Sequence, residues 1–190
     1  MAKTLPAFPC PPGGPRPIVA RAFTLVELLI VIAVVSILFS IAVPFVLSAR
    51  MSSHEAAAIN TLVAINNAQS AFKDACGHGR YAASLTGLGT PVPSTGEAFL
   101  SPDLTSGDDV IKSGYRFVLT SNAEAVPVPA CNGTGAVDGY AVTADPVTPG
   151  SSGRRFFATN TSRVIYEHVE TFAGTMPESG PPPAGTELRP

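Results

Sequence analysis

Between Leu28 and Leu47 the chain carries no ionisable side chain, and apolar residues fill almost every position, interrupted only by Ser36, Ser40 and Pro44. A helix of about 20 such residues spans the roughly 30 Å hydrocarbon layer of a bilayer. The pattern therefore predicts a transmembrane helix over 23–47. Beyond it the apolar positions thin into a stripe: Ala58, Leu62, Ile65, Ala68, Phe72 and Ala75 recur at spacings of three and four. That is the period of a helix with one buried face. The prediction is a long helix from Phe23 to Ala75, about 80 Å at about 1.5 Å per residue, with 48–76 as its amphipathic continuation. Pro44 lacks an amide hydrogen and clashes with the preceding turn, so a kink is expected there, with Ser36 and Ser40 available to bond freed backbone groups. Ser52 and Glu55 have capping-box spacing and offer a competing helix start. No Gly or Pro lies between Phe45 and Cys76, which favours a continuous rod.

After Cys76 the residues change to Gly, Pro, Ser and Thr, and the apolar period shortens. The runs "YRFVLT" from Tyr115, "YAVTA" from Tyr140, "RRFFAT" from Arg154 and "RVIYEH" from Arg163 read as short strands separated by turn residues. The expected fold is α+β, a long N-terminal helix on an antiparallel sheet of three or four strands. The head should occupy 77–175, with 77–110 a connecting loop holding a short helix near Tyr81 to Leu88. The Pro-rich segment 176–190 has little apolar material and is expected to stay disordered.

The first 22 residues, "MAKTLPAFPCPPGGPRPIVARA", hold six prolines and no apolar block, so they lack the hydrophobic core of an ordinary secretory signal. They carry Lys3, Arg16 and Arg21 without an acid. Basic residues before a first hydrophobic helix keep that side in the cytoplasm, placing the head outside it. Setting those three charges aside takes the net charge from −2 for the whole chain to −5 for the remainder. An acidic exported part with scattered basic residues has no footprint for nucleic acid.

The order of basic leader, small residue, "FTLVELL" and apolar helix resembles the N-terminal processing motif of type IV pilins and pseudopilins. The resemblance extends through "AVPFVLSARMSSHEAAAINTLVAINNAQSAF", and more loosely to "VTADPVTPGSSGRRFFATNTSRVIY". It implies cleavage between Ala22 and Phe23 by a prepilin peptidase on the cytoplasmic face, with N-methylation of Phe23. Removing 22 of the 190 residues would leave 168, anchor attached. Ala22 stands where the family usually has glycine. The function implied is a structural subunit of a type IV pilus: a helical homopolymer that starts in the bacterial inner membrane and ends as an extracellular fibre. The implied partners are the peptidase, an assembly platform protein with its ATPase, and a secretin. A pseudopilin of a type II secretion system is the near alternative. Such proteins usually carry an aspartate-rich loop near the C-terminus, and here no Asp follows Asp145. An exported binding or catalytic domain on an uncleaved signal anchor is the third reading.

Glu27 is the one acid in the apolar run. Cleavage before Phe23 would create a cationic amine one helical turn away, and in the family this glutamate is taken to meet the amine of a neighbouring subunit. Alternatively it is solvated among headgroups. Of the three cysteines, Cys10 would leave with the leader. Cys76 and Cys131 then either form a disulfide, which an oxidising compartment permits, or remain as two buried thiols. The remaining chemistry is sparse. His54, His78 and His168 are far apart, "CGH" at Cys76–His78 supplies too few ligands for zinc, and Asp103, Asp108 and Asp109 lack the ordered spacing of a calcium loop. "NGT" and "NTS" match a glycosylation pattern. No metal, cofactor or catalytic set is expected.

Overall fold

The computed structural model describes residues 23–121 and 128–188; the leader with Ala22 of the expected cut, residues 122–127 and the last two residues lie outside it. Helix α1 runs Leu25–Ala75 with Pro44 inside it. Contacts divide the chain into an N-terminal unit up to Ala42 and a second from Val43. Among the described residues of the first unit nothing packs on the helix: its most apolar window has no buried residue. Ser36 and Ser40 donate to the carbonyls of Ile32 and Ile37, at 2.6 and 2.7 Å. Neither is the carbonyl of Ser40, which the missing amide of Pro44 would have met.

The second unit builds the head on the later part of α1. A six-stranded antiparallel sheet comprises β2 (Asp109–Lys112), β3 (Tyr115–Thr120), β6 (Ala141–Pro146), β7 (Phe156–Asn160), β8 (Ile165–His168) and β9 (Thr186–Glu187), in that spatial order. A small second sheet joins β1 (Tyr81–Ala82), β5 (Gly135–Val137) and β4 (Val128–Pro129). Helix α2 is Leu85–Gly89, capped by Ser84. Strand β3 shows why the period-two reading works here: Tyr115, Phe117 and Leu119 are buried while Arg116 and Thr120 are exposed.

One core lies between helix and sheet. Ala58, Leu62, Ile65, Ala68 and Phe72 supply the helix side, and Tyr115, Phe117, Tyr140, Val142, Ala144 and Phe157 much of the sheet side. Ala75 departs from the expected stripe and is exposed, because α1 ends there and the chain turns away. Glu55 starts no new helix; it lies within α1 and is buried. Gly153 is required by close approach, since a Cβ there would overlap the hydroxyl of Tyr115.

Two expectations need correction. Among the described residues the main sheet has six strands rather than three or four, because the loop before β3 and the C-terminal segment each contribute an edge. The segment from 176 is not loose up to Leu188. Asn160 donates to the carbonyls of Pro177 and Gly180 at 2.9 and 2.7 Å, Thr161 donates to that of Glu178, and β9 pairs with β8. Met176 joins Phe172, Tyr166 and Ala158 on the outer face of the sheet. Docking there relies on backbone carbonyls, which a count of apolar side chains does not register.

Candidate functional site

At the start of α1, Thr24 lies just ahead of the helix and its hydroxyl accepts from the Glu27 amide at 3.2 Å, while its carbonyl accepts from Leu28. Thr24 and Glu27 thus stand at capping-box spacing. A carboxylate in the first turn also suits the positive end of the helix dipole. Phe23 is exposed, as are Leu25, Val26 and the large apolar residues through Leu47. Among the described residues Glu27 has no ion-pair partner. So one acid and an unburied apolar surface are presented together. An apolar helix with no packing of its own must bury itself in lipid or against other helices.

Behind this segment, three devices tie the later part of α1 to the head. The first is Glu55. Its Oε1 accepts from the Arg154 amide at 2.8 Å and the Arg155 amide at 3.4 Å; its Oε2 accepts from Arg155 Nε at 2.9 Å and sits 2.8 Å from Nη2. Arg155 also holds Glu167 at 2.6 Å. Burial pushes the Glu55 pKa up, but the Arg154 amide and the hydrogen bonds and charge of Arg155 outweigh it, leaving the group below the ordinary glutamate value. The opposing bonds in turn hold the Arg155 guanidinium above its usual value, against burial.

The second device is polar and lies inside the core. Asn66 donates to Thr159 at 2.9 Å and accepts from the Tyr140 hydroxyl at 2.9 Å. One turn on, Gln69 bonds both the amide and the carbonyl of Ala82. The sequence carried no signal for these contacts beyond two amides on the core-facing side of an otherwise apolar stripe. The third device is covalent. Cys76 and Cys131 form a disulfide with their Cα atoms 4.9 Å apart, and the Cys131 amide donates to the Cys76 carbonyl.

Other candidate residues go to separate partners. Asp103 pairs with Lys112 and Asp109 with Arg116, while Asp108 accepts from the amide and hydroxyl of Thr86. Asn160 of "NTS" is fully buried with its amide engaged, and Asn132 of "NGT" donates to Gly87 and Thr90. Neither side-chain amide is free for a glycan in the folded head.

Residues 19–43 match the family model of the prokaryotic N-terminal methylation motif. The chain carries a prepilin-type N-terminus. The match spans the predicted cut between Ala22 and Phe23, the Thr24 cap, Glu27 and the exposed apolar helix as far as Val43. No curated protein and no solved structure matches the chain. The motif supports a prepilin of the pilin or pseudopilin type, and the fold, an apolar N-terminal helix continuing into one packed on antiparallel strands, is consistent with it. Such a motif indicates a structural subunit.

Proposed function

We propose that this prepilin is a structural subunit of a type IV pilus, cut between Ala22 and Phe23, N-methylated on Phe23 and polymerised through its N-terminal helix. One observation carries the reading: within the matched motif, the helix exposes its apolar side chains on every side and keeps a single acid, Glu27. A charged group within an apolar helix is costly without a partner. The new amine at Phe23 of the adjacent protomer supplies one. Two unit charges about 4 Å apart at an effective dielectric near 20 attract by about 4 kcal/mol before desolvation is subtracted. That attraction sets the axial register of helices that would otherwise slide.

Before assembly the subunit waits in the inner membrane with its leader in the cytoplasm and its head in the periplasm. Pro44 leaves the Ser40 carbonyl without its helical donor and is the compliance point of the rod. Extension draws on the cytoplasmic assembly ATPase acting through the platform protein, and the fibre leaves through a secretin. The test is the mass and N-terminal sequence of protein taken from sheared surface fibres. Long fibres built of a 168-residue chain beginning at methylated Phe23 are expected. In cells, Glu27→Gln should still insert and be processed, yet yield no fibres. Fibres of chains that begin at Met1 or Ala2 would overturn the proposal, and periplasmic stubs in place of surface fibres would move the chain to the secretion pseudopilins.

A further inference from the structure

The end of the head nearest the apolar run has a charge opposite to the rest of the molecule. Helix residues 48–55 and the loop 147–155 beside them contain Arg50, Arg154 and Arg155 against the single acid Glu55. That is a surplus of +2 in a chain whose net charge beyond residue 22 is −5. The two segments are held together by the Glu55 bonds to 154 and 155 and by His54 Nδ1, 3.1 Å from the Ser152 carbonyl. Arg155 is consumed by Glu55 and Glu167. Arg50 and Arg154 are exposed, and among the described residues neither side chain carries an ion pair. Loop 147–155 holds no acid, and the exposed residues around Arg154 are small and polar apart from Val147 and Pro149.

Position along the helix decides what these arginines meet. Leu47 ends the apolar run, and Arg50 lies three residues further, about 4.5 Å along the axis. A headgroup layer is about 5 to 7 Å deep, so Arg50 falls inside it. The Arg154 backbone sits at the level of Glu55, about 12 Å beyond Leu47. Arg154 nevertheless lines a groove of about 300 Å³ that is also lined by Ser48, next to Leu47. An exposed arginine so placed has a stem long enough to snorkel back along that groove and set its charge among phosphates. We infer that this basic end of the head is a docking surface for anionic phospholipid headgroups, which seats the unassembled subunit on the membrane through Arg50 and Arg154. The inference rests on the membrane placement given under Proposed function.

The test uses the full chain reconstituted into vesicles of equal parts phosphatidylcholine and phosphatidylglycerol, extracted gently and weighed intact with its retained lipid. The wild-type chain should retain phosphatidylglycerol in preference to phosphatidylcholine. Arg50→Gln or Arg154→Gln should each reduce that preference about fivefold, and the double substitution about 25-fold. Added salt should weaken it. Arg116→Gln, which removes a charge paired with Asp109 on the sheet, should leave it unchanged. Equal retention of both lipids by the wild type would overturn the inference, as would an undiminished preference in the double variant. A double variant that keeps its lipid preference but loses self-association would assign the patch to contact between copies instead. Flotation with pure phosphatidylcholine vesicles separates the two levels. A chain that floats but shows no headgroup preference sinks this inference alone, whereas one that floats with no vesicle removes the membrane span and the inference with it.

Discussion

Replacing Glu55 removes the link that holds α1 to the turn entering β7. In Glu55→Ala, Arg155 loses two charge-assisted bonds and the amides of Arg154 and Arg155 lose their carboxylate. Removing one partner of a buried ion pair costs about 3–5 kcal/mol. Here the Arg155 side chain is 42% exposed and keeps Glu167, so water and that second acid recover part of the loss. The remainder comes from the uncompensated amides and the lost packing, and a cost of about 2–3 kcal/mol is expected. For a domain of this size that corresponds to a fall in Tm of about 5–10 °C. Glu55→Gln keeps an oxygen for the amides but turns an NH2 toward the guanidinium, and should fall in between. The pH dependence follows from the direction of the shift. The folded pKa of Glu55 lies below its unfolded value. Its contribution is therefore complete above the unfolded glutamate value and is lost as pH falls through the lower folded one. Melting of the full chain in detergent, followed by circular dichroism, should show wild type and Glu55→Gln separated near neutrality and converging in acid. A Tm for Glu55→Ala within about 1 °C of wild type, or a gap unchanged into the acid range, would refute the reasoning.

Two further substitutions probe the other devices. Changing Cys76 and Cys131 together to Ser opens a bridge of sequence separation 55, which the chain-entropy model values at about 4 kcal/mol. Denaturant unfolding should report that loss, and maleimide should label neither cysteine of the unreduced wild type. Asn66→Ala strips the Tyr140 hydroxyl and Thr159 of a buried partner, at a cost of about 2–3 kcal/mol. Asn60→Ala on the exposed side of the same helix should cost under about 0.5 kcal/mol, so a similar loss in both would assign the effect to the helix and not to the network.

Much of this was legible in order and periodicity. The absence of ionisable groups between Leu28 and Leu47 required a segment that lipid or other helices must cover, since hydrocarbon burial depends only on what each residue is. The leader with no apolar block and the acid at Glu27 identified the processing motif, because those signals lie within one short stretch. Alternation in "YRFVLT" predicted β3 for the same local reason. What folding alone decided involves partners far apart in the chain. Glu55 had a local reading as a helix cap and instead meets the amides of residues 154 and 155. Asn66 and Gln69 sit among apolar helix residues yet face inward, because Tyr140, Thr159 and Ala82 come round to satisfy them. The C-terminal segment looked too polar to pack, and is held through its carbonyls by Asn160 and Thr161. Hydrophobic pattern is a property of one segment, whereas satisfying a buried donor or acceptor needs two, and which two meet is decided only when the sheet closes on the helix.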